Sequence, residues 1–292
     1  MMMMKPTETM SRQKGNAVSD ENKKDARPDP KPRKRQLTWQ HYLLFIEFRK
    51  MRLRHELRLN AIEKGKSNLH GPAELHFLDD LVEGKQGPVG IRMLEKRALK
   101  DLIDAANSEF GAIYEWLVGI HGIGDSTAAQ LLAMIDDIGR FDTVSKLWRY
   151  LMGAVMDIDG NLSTNGTLHG RMERSSSGEK NHFSREGRAL CWNIADSLIK
   201  AQKSAYVAGP SGYYADRERM RELYPEPIPA VKGENVPTSY RWKELETDSH
   251  QHRKAKRKVA KTLLRDLWLE WREIEGLPIT KSHEDRELEQ VA

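Results

Sequence analysis

The chain has a single cysteine, Cys191, among its 292 residues. No intramolecular disulfide is available to it, and a reducing cytosol fits that usage. Long apolar runs are missing too. None reaches the roughly 18 residues that a membrane span needs, so the chain is expected to make no membrane contact. Met1 to Lys5 lack the apolar stretch of a secretory signal. Metal patterns are equally thin. His250 and His252 have no Cys or further His nearby, which argues against a zinc site. Asp157 and Asp159 open like a calcium loop, but no Glu closes it, so they read as turn residues. The expectation is that this chain holds no metal or cofactor itself.

What is present is charge and helical periodicity. Hydrophobic residues make up 38% and charged residues 31%, which suits a helix-rich protein of one or two domains. The net charge is +5, and residues 1–40 hold ten Lys/Arg against five Asp/Glu, so the N-terminal tail carries the whole excess. A basic tail favours nucleic acid by neutralising phosphates. A solvated tail that only aids solubility has the same composition.

Residues 1–37 are polar, interleave prolines with charges, and read as a disordered basic tail. Residues 38–115 read as a helical arm or coiled coil. Thr38 is placed to cap a helix running to about Lys64, with Tyr42, Ile46, Leu53 and Leu57 on one face. Gly71-Pro72 breaks the chain before a short helix ending near Val82. Leu99, Ile103, Ala106, Phe110, Ile113 and Leu117 then form a heptad seam. That seam predicts self-association through the arm, and a plain helical bundle explains it equally well. Val155 to Leu162 reads as a small β-hairpin turning at Asp159-Gly160. A long last helix spans about 248–275 and stops at Gly276-Leu277-Pro278. Residues 279–292 are a second disordered tail. The fold class is therefore mainly α, with a helical arm, a helix-hairpin-helix domain over 116–278, a small β-hairpin and a long C-terminal helix.

The stretch Trp116 to Ile135 carries the functional argument. One helix ends near Gly119, the chain turns at Gly122-Ile123-Gly124, and a second helix starts at Asp125 with Ala128, Leu131, Leu132 and Ile135 inward. This is the helix-hairpin-helix pattern. Two glycines allow a tight turn and close approach to another molecule, and Ile123 plugs the core. Amides at the second helix's start then face a phosphate oxygen, gripping backbone without reading sequence. Ser126 and Thr127 add hydroxyls, and Lys146 and Arg149 are candidate phosphate contacts. Asp125 counts against an anion, and a hairpin that binds nothing has the same glycines. Asp136 and Asp137 read as solvated surface rather than a metal pair, and Asp142 as the cap of the next helix. On the last helix Val259, Leu263, Leu264, Leu267, Trp268 and Trp271 read as core. Arg253, Lys254, Arg257 and Lys258 form a basic end, either a phosphate grip or a solvated face.

These residues resemble a known family. Gly122-Ile-Gly-x-x-Thr-Ala-Ala, Ile138-Gly-Arg-Phe-Asp and Leu147-x-x-Tyr150 are similar to the C-terminal domain of insertion-sequence transposases of the bridge-RNA-guided recombinase group. Ser184 to Leu190, Tyr213-Tyr214 with Arg217, and His252 to Trp268 resemble its later segments. The likeness covers about residues 110–278. It implies DNA transposition or recombination for a mobile element or phage. It also implies DNA and guide RNA as partners, a nucleoid-associated cytoplasmic location, and a serine nucleophile matching Ser177 of Ser177-Gly178. The family's RuvC-like nuclease half needs four acidic residues on a strand-rich sheet, and nothing before residue 110 reads as one. A separate nuclease chain must then supply it, and with it Mg2+. Without that partner Ser177 is an unactivated hydroxyl in a loop. Whether the chain is an enzyme stays open at this point, and a non-catalytic DNA-binding or structural module is the alternative.

Overall fold

The computed structural model describes residues 34–66, 72–85, 89–156, 171–172, 183–223, 225 and 248–280. The turn at Asp159-Gly160, Ser177, and nearly all of both tails lie outside the described residues.

The first helix, α1 (Gln36–Glu63), starts two residues before the expected cap. Thr38 lies inside it, and its amide and hydroxyl both donate to Glu109 Oε2, at 2.9 and 2.6 Å. The orphan amides ahead of the helix are capped from elsewhere: Lys34 N and Arg35 N donate to the carboxylate of Asp136, at 3.2 and 3.0 Å. Asp136 is therefore not solvated surface. It is 3% exposed, at φ 64, where it ends a later helix.

After α2 (Pro72–Glu83), α3 (Ile91–Phe110) returns antiparallel to α1. Thr38 meets Glu109 at one end, and Arg52 forks onto Glu95 farther along. Its hydrogen bonds to the Glu95 carboxylate push the Arg52 guanidinium above its ordinary value. The heptad seam does not run through one helix. Gly111 adopts φ +47 and divides it into α3 and α4 (Ala112–Gly119). A Cβ at Gly111 would meet nothing within 4 Å, so the backbone angle alone calls for glycine. Of the expected seam, Ala106, Phe110, Ile113 and Leu117 are buried, whereas Leu99 and Ile103 are only partly covered and Ala98 and Leu102, one position before each, are buried instead.

The remainder is α5 (Asp125–Ile135), a 3-10 turn at Ile138–Arg140, α6 (Val144–Met152), α7 (Arg185–Ala201), α8 (Ala205–Ala208), α9 (Tyr213–Leu223) and α10 (Asp248–Ile274). One core runs from Tyr42 and Phe45 through Leu102, Leu131 and Leu147 to Trp271. The last helix sits in its middle, with Val259, Leu263, Leu264, Leu267, Trp268 and Trp271 all buried. The indole of Trp268 donates to Phe141 O at 2.8 Å, and that of Trp148 to Lys261 O at 3.0 Å. Gly276 at φ +64 ends the helix where its sequence signal lies.

The expected β-hairpin is overturned, and the described fold is all-α. Val155 is paired with Met172 and Met156 with Arg171, far outside a hairpin closing by Leu162. Two residues a side fall short of the length at which strands begin in globular proteins. Among the described residues, no helix is long and apolar enough to cross a membrane.

Arg35 closes the structure. Its guanidinium donates to Glu109 O at 3.2 Å, Asp136 O at 2.7 Å and Glu275 Oε1 at 2.7 Å. It also lies over the rings of Phe110 and Trp271. Arg35→Ala takes the closest cation from a largely buried carboxylate, which keeps Trp271 and the more exposed Lys34, and removes a donor from two carbonyls, so a loss of about 3 kcal/mol is expected in urea denaturation. Arg54→Ala, on the exposed side of α1, should stay within about 0.5 kcal/mol.

Burial pushes the Glu275 carboxyl up, but hydrogen bonds from Arg35, Trp271 and Lys34 outweigh it and leave the group below its ordinary 4.5. A depressed carboxyl contributes stability above its unfolded value and loses it as pH falls. The stability gap between the parent and Glu275→Gln should therefore be full above pH 4.5 and shrink below it. Urea midpoints measured from pH 7 to 3 check this.

Candidate nucleic-acid interface

The hairpin forms as the residue pattern predicts. Helix α4 ends at Gly119, Ile123 N closes a turn onto Ile120 O at 2.9 Å, and Gly124 caps α5. The two glycines have different reasons. Gly122 sits at φ +103, and a Cβ there would lie 3.1 Å from Ala201 Cβ and 3.2 Å from Leu198 Cα. The turn is thus pressed onto the last turn of α7, and only glycine fits. Gly124 has φ −99 and ψ 165, ordinary extended backbone, with open space around it. Its lack of a side chain matters to the cap of α5 and to what approaches from outside.

Ile123 is 5% exposed and anchors the turn in the core, while Gly124 and Asp125 face solvent. The first amides bonded within α5 are those of Thr127 and Ala128, both to Gly124 O. Those of Asp125 and Ser126 therefore point out of the helix end, beside the positive end of its dipole. Ser126 is half-buried, and its hydroxyl accepts from Gln130 at 3.0 Å, which leaves its own proton for an outside acceptor. Thr127 is half-buried beside it, and His121 is exposed just before the turn. The carboxylate of Asp125 accepts from Tyr114 Oη at 2.7 Å. Burial, together with that carboxylate, holds the Tyr114 phenol well above its ordinary value.

The other expected contacts are not gathered here. Helix α6 packs on α7 and α10, and Tyr150 reaches Met134 O at the far end of α5 from the hairpin. Lys146 is ion-paired with Asp142, which draws the Asp142 carboxyl down instead of capping α6. Arg149 is exposed on the same helix. On α10 most cations turn inward. Lys254 is 8% exposed, Lys258 pairs with Asp216 at 2.6 Å, and Arg257 is half-buried. Arg253 faces solvent. Lys256 pairs with Asp196 at 2.7 Å and lies over Trp192. Hydrogen bonds from Lys200 and Lys256 pull the Asp196 carboxyl down to about 2. Ser177 lies outside the described residues.

No family model, curated protein or solved structure matches this chain. The resemblance to the transposase domain therefore rests on the quoted residues alone.

Tyr213 and His252, which belong to two segments of that resemblance, do meet: Tyr213 Oη lies 2.7 Å from His252 Nδ1, and Arg217 pairs with Asp248. Burial, and then Lys256 and Arg217, lower the His252 imidazole below its ordinary value. Cys191 is buried, with its thiol pushed up to about 12, which leaves it inert as a nucleophile. An aromatic-lined cavity between α1, α5, α6 and α7 went unseen in the sequence. Its walls come from residues up to 147 positions apart, and only the Trp39/Tyr42 spacing on one helical turn hinted at it.

The two glycines can be separated by experiment. Gly122→Ala should cost at least about 2 kcal/mol, from the positive φ and the contact with α7. Gly124→Ala should stay within about 1 kcal/mol, since the backbone angle suits alanine and only the cap preference opposes it. Urea unfolding of both variants checks this.

Proposed function

We propose that the protein binds duplex DNA through the Gly122-Ile123-Gly124 hairpin, holding the sugar-phosphate backbone with little sequence preference. One observation carries the reading. Beyond its place as the N-cap of α5, Gly124 has neither strain nor neighbours to explain it, and it stands beside the outward amides of Asp125 and Ser126. A phosphate approaching there meets donors and a helix dipole. In the form that the resemblance implies, the protein acts in DNA transposition or recombination alongside a separate nuclease chain and a guide RNA. The self-association expected from the arm has less to draw on, because Ala106, Phe110, Ile113 and Leu117 of the seam are buried in the chain's own core. A second reading, a structural corner that binds nothing, is favoured by Asp125, whose negative charge stands in the first turn of α5, beside the positive end of the helix dipole.

Fluorescence anisotropy with a labelled duplex separates the two. Affinity should fall steeply from low to moderate salt. Gly124→Ala, checked as folded by circular dichroism, should weaken binding to all sequences alike and make the salt slope shallower by about one unit. Unchanged affinity and slope in this variant would mean that the hairpin is only a corner.

A further inference from the structure

The cavity among α1, α5, α6 and α7 has a volume of about 230 Å3. Trp39 and Tyr42, one helical turn apart on α1, stack with centroids 5.4 Å apart and planes at 28°. Tyr150 of α6 lines the cavity too, its hydroxyl tied to Met134 O at 3.2 Å. The polar lining is sparse: Lys50 from α1, and Ser184 and Glu186 at the start of α7.

We propose that this cavity takes one unpaired nucleobase of a DNA strand whose backbone the hairpin holds. The inference rests on the DNA-binding reading above.

Size comes first. The volume lies below the roughly 300 Å3 at which sites for drug-sized ligands begin, so it suits a single ring system and not an extended cofactor. Aromatic walls select a flat ligand, and every base offers a π-face to stack on. The polar groups then match a nucleotide. Lys50 is exposed, with Glu47 as an exposed neighbour at 3.3 Å, so its ammonium can exchange that partner for a phosphate. Glu186 offers an acceptor for an exocyclic amine. Ser184 Oγ accepts from Gly187 N at 3.0 Å, which leaves its proton free for a ring nitrogen or carbonyl. The N-terminus of α7, a helix of 17 residues, adds a partial positive charge beside these groups.

Placement agrees. Met134 lines the cavity, and Gly124 caps the same helix, α5. At about 1.5 Å per residue the two stand roughly 15 Å apart along its axis. A strand advances about 3.4 Å per nucleotide, so a base a few positions from the gripped phosphate reaches the cavity. Taking a base out of the stack costs least where it is already unpaired. The favoured substrate is therefore DNA with a bulged or single-stranded nucleotide, and an amino-bearing base such as adenine suits Glu186 best.

The test compares a matched duplex, the same duplex with one bulged adenine, and adenosine monophosphate alone, by anisotropy and competition. The bulged duplex should bind at least about fivefold tighter than the matched one, the lower end of what base–aromatic stacking contributes. The preference should vanish in Trp39→Ala and fall in Lys50→Ala, an exposed position that tolerates truncation. Gly124→Ala should weaken both duplexes alike. Equal affinity for both duplexes overturns the base pocket and leaves the hairpin reading standing. Binding to neither duplex overturns the hairpin reading itself. Saturable binding of the mononucleotide with no bulge preference overturns the strand as the source and assigns the cavity to a free nucleotide.

Discussion

The structure turns on how Arg35 is held. One guanidinium joins the start of α1, the last turn of α3, the end of α5 and the end of α10, with Thr38 on Glu109, the Asp136 carboxylate on the amides of Lys34 and Arg35, and Lys34 on Glu275 around it. Such a contact is directional where the core is not. The burial of Leu102, Leu131 and Leu267 is favourable without regard to direction, whereas a planar fork meeting two carbonyls and a carboxylate fixes one arrangement. Asp136 completes it from the other side by capping α1 with a residue about a hundred positions away. Because Asp136 also ends α5, the arm and the hairpin helix share one anchor.

That anchor has a consequence for the hairpin. Helix α5 is fixed at its C-terminus by Asp136 and at its N-terminus by Gly122 against α7 and Ile123 in the core. The turn between α4 and α5 is thus held from both ends. A rigid donor pair loses little freedom when it meets a phosphate, which is what backbone recognition by main-chain amides depends on.

The charge distribution follows a different logic from the composition. The basic first half of α10 suggests a grip on nucleic acid, yet α10 is the central helix. Lys256 and Lys258 meet Asp196 and Asp216, and Lys261 covers the Trp148 ring. Partly buried cations need partners, and the acidic residues of α7 and α9 provide them. What remains exposed of the predicted basic contacts on described helices is sparse, with Lys146 and Arg149 on α6 and Arg253 on α10. The proposed binding therefore leans on hairpin amides more than on a basic face.

Much of this was legible in the sequence wherever neighbours three or four residues apart decide the outcome. The apolar stripe of α10 and its stop at Gly276, the Gly-Ile-Gly turn with Ile123 inward, and the helix pair of the arm are all local patterns. The sequence alone also placed the α5 core residues Ala128, Leu131, Leu132 and Ile135 correctly. The tertiary structure decided the rest. It broke the Leu99–Leu117 seam at Gly111, buried Asp136, paired Val155 with Met172, and showed that Gly122 carries the strained angle while Gly124 does not. Periodicity reports which side of a helix is apolar. Which charge meets which, and which glycine is pressed against a neighbouring helix, depends on segments brought together across a hundred residues, and no local spacing encodes that.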